Sequence, residues 1–122
     1  MVRTFLTLFS IVGASAAVAT SALARQAAVP TLKGTVGPGY TITLKQNGAV
    51  VKTLKAGTYK FVIADKATVH SFALDGPNGF AKDFTTVPFM GTKTVTLKLK
   101  AGSYKYYCAA HEPTMFGRFK VK

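Results

Sequence analysis

Acidic side chains are nearly missing from this chain: its 122 residues include four, against 16 lysines and arginines, for a net charge of +12. Asp65, Asp75, Asp83 and Glu112 are all of them, and no two are spaced as a carboxylate pair for general acid–base work. A nucleophile with a base and an orienting partner is missing too, because Cys108 and His111 share one short stretch and a pairing of those two leaves Met115 without a role. No glycine-rich phosphate loop is present. The residues therefore read as those of a protein that is not an enzyme. Cysteine is equally scarce, and the single Cys108 excludes a disulfide framework. Helical periodicity is absent from the body of the chain, which excludes an α-helical fold.

The first stretch, MVRTFLTLFSIVGASAAVATSALARQ, has a cation at Arg3, an apolar run from Phe5 to about Val18, and Ala22 and Ala24 in an A-x-A arrangement. It reads as a secretory signal peptide, residues 1–24, cleaved after Ala24. The run is short and rich in Ala, Ser and Thr, whereas a membrane-spanning helix needs about 20 mostly apolar residues. A retained anchor is the alternative. Residues 25–122 then form one small domain with a single core. Loss of Arg3 leaves 15 cations against four acids, a net charge of +11. Lys98, Lys100, Lys105 and Lys120 alternate with apolar residues, which places them on a solvated sheet face and argues against nucleic acid as the partner. An exported basic domain suits an acidic protein surface or the cell envelope. In such a compartment an unpaired cysteine is a liability unless it is buried or ligated.

The body of the chain reads as strands between turn signals: Thr31–Val36, Tyr40–Lys45, Ala49–Leu54, Thr58–Asp65, Thr68–Leu74, a weaker run at Asp83–Val87, Lys93–Leu99, Tyr104–Cys108 and Gly117–Val121. Asn47-Gly48 between alternating runs is a hairpin signal. Short strands at this spacing predict an all-β sandwich. LKAGTYKFVIAD at 54–65 returns as LKAGSYKYYCAA at 99–110, which predicts two equivalent turn-strand entries into the sandwich with Tyr59 and Tyr104 entering the core alike.

Chemistry concentrates in YYCAAHEPTMFG, where Cys108, His111 and Met115 lie within eight residues. A thiolate, an imidazole and a thioether on one loop suit copper, and a second imidazole completes a trigonal His₂Cys site with a weak axial Met. The only other histidine is His70, in the run ATVHSFAL. Alternation puts His70 on the same face as Phe72 and Leu74, and Cys108 on the face of Tyr104 and Tyr106, so both point inward. Zinc is the alternative metal, although structural zinc seldom takes Met. Taken singly, Cys108 is a small buried hydrophobe, His70 a core histidine and Met115 a gap-filler.

With these motifs in view the chain resembles the cupredoxins, especially small exported bacterial plastocyanin-like and azurin-like copper proteins. The likeness runs through GTVGPGYTITL at 34–44, LKAGTYKFVIADKATVHSFALDGP at 54–77, GTKTVTLKLKAGSYKYYCAAH at 91–111 and MFGRFKV at 115–121. It implies an eight-stranded Greek-key β-sandwich with one type 1 copper ion at one end, His70, Cys108 and His111 as equatorial ligands and Met115 as the axial one. Three positions depart from the family pattern. Ser71 stands where Asn commonly ties the two ligand loops together, Ala110 stands where Pro commonly precedes the second histidine, and Ala73 replaces a second histidine in HSFAL. The resemblance implies an exported one-electron carrier in the periplasm or cell envelope, or outside the cell. Copper would be its cofactor and an acidic redox protein its partner, and it would act as a monomer with no nucleic acid and no stable membrane insertion after cleavage. His111, near Pro113, Met115 and Phe116, would be the electron port. A copper sequestration or delivery protein using the same ligands is the alternative, and an interaction module with structural copper a third reading. Met90 is read as core or as part of an apolar rim.

Overall fold

The computed structural model describes residues 28–122 together with Gly13. The expected leader, Gly13 apart, and its cleavage point lie outside the described residues. Eight strands have four residues or more: β1 Thr31–Val36, β2 Ile42–Gln46, β5 Gly57–Asp65, β6 Phe72–Asp75, β7 Ala81–Thr85, β8 Gly91–Leu99, β9 Gly102–Tyr107 and β10 Phe116–Val121. Two-residue segments, β3 Ala49–Val50 and β4 Thr53–Leu54, extend the sheet edges. The first sheet has the order β3-β2-β1-β5-β8 and the second β4-β10-β9-β6-β7. Pairing is antiparallel except where β1 lies parallel to β5 and β4 parallel to β10. This is the all-β sandwich expected from the strand pattern. No helix among the described residues is long and apolar enough to cross a membrane.

Several strand ends shift by about two residues, and two runs differ from the sequence expectation more deeply. The run Ala49–Leu54 is divided, because its first half pairs with β2 and its second half with β10 in the other sheet. Val51, 4% exposed, packs into the core at the corner between the halves. The run Thr68–Leu74 becomes strand only at Phe72. The preceding residues fold into a turn in which Asp65 Oδ1 accepts the Ala67 N–H (3.2 Å) and the His70 N–H reaches the Ala67 carbonyl (3.4 Å).

Period-two alternation builds the core. On β5 the side chains of Tyr59, Phe61, Ile63 and Asp65 are buried while Thr58 and Lys60 are exposed. Within the second sheet Phe72 stacks on Tyr106 (5.8 Å) and Tyr104 on Phe119 (5.1 Å), and between the sheets Phe61 lies tilted against Phe84 (5.1 Å). The repeated sequence makes the same corner in each sheet. Tyr59 donates its hydroxyl to the Lys55 carbonyl (2.7 Å), and Tyr104 donates to that of Lys100 (2.8 Å). Gly57 and Gly102 take matching backbone conformations, φ +155° and +149°, which favour glycine.

The strand registers bring four connections to one end of the sandwich. Val36 pairs with Asp65, Asp65 with Gly91, Phe72 with Thr85, and Tyr107 with Phe116. Residues 37–41, 66–71, 86–90 and 108–115 therefore meet there, and they carry every residue singled out as a metal ligand.

Candidate metal centre

Cys108 follows the last residue of β9, its side chain fully buried, and its N–H bonds the Met115 carbonyl (3.0 Å) across the base of the loop. A 3₁₀ turn, Ala109–His111, begins immediately after it, with the His111 N–H on the Cys108 carbonyl (3.1 Å). Met115 N–H returns to the His111 carbonyl (2.8 Å). This eight-residue loop is thus closed by its own backbone. Those bonds fix the direction of His111 relative to Cys108.

His70 reaches the same point from the other connection. Its Nδ1 lies 3.3 Å from Nδ1 of His111 and 3.9 Å from Sγ of Cys108, and the His111 Nδ1 to Cys108 Sγ distance is 3.7 Å. A triangle with edges 3.3, 3.7 and 3.9 Å has a centre about 2.1 Å from each corner, close to a metal–imidazole bond (~2.0–2.1 Å) and a little under a metal–thiolate bond (~2.3 Å). Both histidines present Nδ1, so one nitrogen of each ring faces the sulfur and the other faces away. The donor set and its spacing fit a single metal ion. His70 and Cys108 are 1% and 0% exposed, and His111 is half-buried.

Met115 is 1% exposed and belongs to the core cluster. Its backbone pairing with Cys108 holds it at the same end of the sandwich. The electron-port residues divide differently from the sequence expectation. Met115 is buried, and Phe116 sits on the outer face of the second sheet with Lys105 and Arg118 over its ring (5.0 and 5.6 Å). The apolar rim of this end is supplied by Tyr40, Val69, Val87 and Met90, all more than half exposed. Glu112 is ion-paired to Lys105 (2.8 Å) and ties the loop to β9.

Ser71 joins the two ligand connections despite its short side chain. Its Oγ accepts the Ala109 N–H (3.0 Å), and its own N–H points at the Cys108 sulfur (3.3 Å). Such outer hydrogen bonds orient metal ligands and tune their basicity. The sequence reading missed two contributors. Tyr40, expected to begin a strand, precedes β2 and sets its ring edge-on against both His70 (5.5 Å) and His111 (5.0 Å). Gly37, at φ +74°, leaves space for the His70 ring, since a Cβ there would lie 3.0 Å from His70 Cδ2. Periodicity carries no signal for either, because both act across the sequence on a distant loop.

The fold is similar to the β-sandwich of solved copper proteins. Rusticyanin, a copper protein, superposes with a TM-score of 0.55 at 21% identity over 75% of this chain and 76% of its own. Auracyanin A, a blue copper protein from the green thermophilic photosynthetic bacterium Chloroflexus aurantiacus, gives 0.53 at 20% over 78% of this chain and all of its own. A reduced amicyanin variant gives 0.51 at 14% over 80% and 87%. At these identities the likeness is one of architecture. No protein-family model matches the chain, and no curated protein does.

Proposed function

We propose that this protein is an exported type 1 copper protein that carries one electron, with His70, Cys108 and His111 as equatorial ligands and Met115 as the weak axial one. The observation that carries this reading is the triangle of one sulfur and two imidazole nitrogens, 3.3 to 3.9 Å apart, at the end of a cupredoxin sandwich. Copper bound there supplies a one-electron Cu(II)/Cu(I) couple.

The chain's own residues do the remaining work. Backbone bonds within the loop and the Ser71 bridge hold sulfur and imidazoles in place, and a site that barely moves between oxidation states keeps reorganisation small. Burial of Cys108 keeps the thiol from pairing or oxidising, the hazard for a lone cysteine in an exported protein. His111 is the ligand open to solvent, and with Tyr40 and Val69 beside the site it offers an apolar contact to a redox partner. The signal-like N-terminus supports export to the periplasm or cell envelope, and the excess of cations supports an acidic partner.

The same ligands in a copper-delivery protein would have to be reachable by the metal's acceptor. Here His70, Cys108 and Met115 are 1%, 0% and 1% exposed, which favours retention. Stopped-flow mixing with a redox partner, using isotopically labelled copper, separates the two functions. Electron exchange with the label staying on this protein is the expected result. Label transfer faster than electron exchange would make it a delivery protein.

A further inference from the structure

The outer face of the second sheet holds a groove of about 540 Å³ lined by Lys52, Lys105, Arg118 and Lys120 around Ser103 and Asp75. Register explains its composition. Arg118 lies directly across from Lys105, and Lys105 across from Asp75; Lys120 has Ser103 on one side and Thr53 on the other. Alternation sends these side chains outward and Tyr104 and Phe119 inward. Ser103 is short, so the long cationic side chains stand around a hollow.

Like charges directly opposite on adjacent strands repel, so this face calls for counter-charge. The chain provides it only in part, beside Lys105. Glu112 is engaged by Lys105, Asp75 accepts the Tyr107 hydroxyl (3.2 Å), Asp65 is buried at 2% exposure, and Asp83 stands on β7 at the sheet's far edge. Residues 1–27 contain no acid at all. Lys52, Arg118 and Lys120 make no ion pair among the described residues.

We propose that this groove is the docking surface for an acidic protein partner, whose clustered carboxylates pair with Arg118, Lys120 and Lys52. Arg118 is prepared for the role: the Phe116 ring supports its guanidinium at 5.6 Å, and the planar fork matches a carboxylate bidentately. The groove begins at Arg118 and Lys105, two residues along their strands from the metal-end pair Phe116 and Tyr107, and runs to Lys120 and Ser103 toward the other end of the sheet. That this partner is a redox protein rests on the electron-carrier reading; the groove's preference for clustered carboxylates does not. The first sheet provides the natural comparison. Lys33 and Lys45 oppose each other there beside a hollow of about 490 Å³, with threonines in place of further cations, no arginine, and no contact with the metal loop.

The test is an amide-shift titration of the ¹⁵N-labelled protein with an oligo-aspartate peptide at low salt. It is repeated on Arg118→Glu/Lys120→Glu and on Lys33→Glu/Lys45→Glu, which remove equal charge. Shifts should concentrate on β4, β9 and β10. The first pair of changes should weaken binding roughly tenfold, and the second less than about twofold. Equal losses from the two variants, or shifts spread alike over both sheets, would overturn the proposal and leave only diffuse charge attraction. Should the first variant lose its dispersed spectrum, Arg118→Gln takes its place, with weakened binding again expected and unchanged binding again contradictory. Copper-free protein gives the same readout, so failure of the metal assignment is seen separately.

Discussion

Cys108 stands where the first copy of the repeated sequence has Ile63, and both side chains are fully buried. Burial alone therefore does not separate a ligand from a core hydrophobe. The neighbours do: two imidazole nitrogens and the Ser71 N–H converge on the sulfur, and a plain core position has no use for them. Met115 is held at the same end of the sandwich by its backbone bond to Cys108. Met115→Leu conserves volume, so it should fold and keep copper. Its reduction potential should rise, because losing a weak axial donor destabilises Cu(II) more than Cu(I). Voltammetry checks this, and an unchanged potential would remove Met115 from the ligand set. That His70, Cys108 and His111 come together was legible in the sequence because the chain has no other cysteine or histidine. Tyr40 and Gly37 were not legible as parts of the site. Their roles depend on how the connections at 37–41, 66–71 and 108–115 fold over one another, which no local pattern encodes.

Strands were easier to read than their ends. Alternation located β1, β5, β8 and β9 to within a residue or two; β1, β5 and β9 turn one face into the core, and β8 alternates toward it at Val95, Leu97 and Leu99. It failed at Ala49–Leu54 and Thr68–Ser71, where apolar residues serve a sheet-to-sheet corner and a ligand turn. The repeated corner gives a prediction that belongs to elements. Tyr104→Phe removes the hydroxyl bond to Lys100 and should cost roughly 0.5–1.5 kcal/mol in urea unfolding. Burial also raises the pKa of Tyr104 above its ordinary value. The folded state then holds a proton that the unfolded chain releases, so this contribution is complete below about pH 10 and is lost as pH rises through the folded value. Stability of the wild type should accordingly fall more steeply above pH 10 than that of Tyr104→Phe. Identical alkaline profiles would contradict the assignment.

Taken whole, the molecule keeps its two kinds of surface apart. Cations line the outer faces of both sheets, while the end that gathers His70, Cys108 and His111 exposes Tyr40, Val69, Val87 and Met90. Composition revealed the excess of positive charge but not its distribution, which follows from strand register. An apolar end bordered by a basic face suits brief, salt-sensitive encounters with an acidic partner. The electron-carrier reading depends on one premise, that the three converging atoms bind copper. The most direct measurement is the visible absorption spectrum of the protein titrated with Cu(II). One equivalent should produce an intense thiolate-to-copper band that Cys108→Ser abolishes. A protein that takes up zinc and stays colourless with copper would contradict the account at its centre.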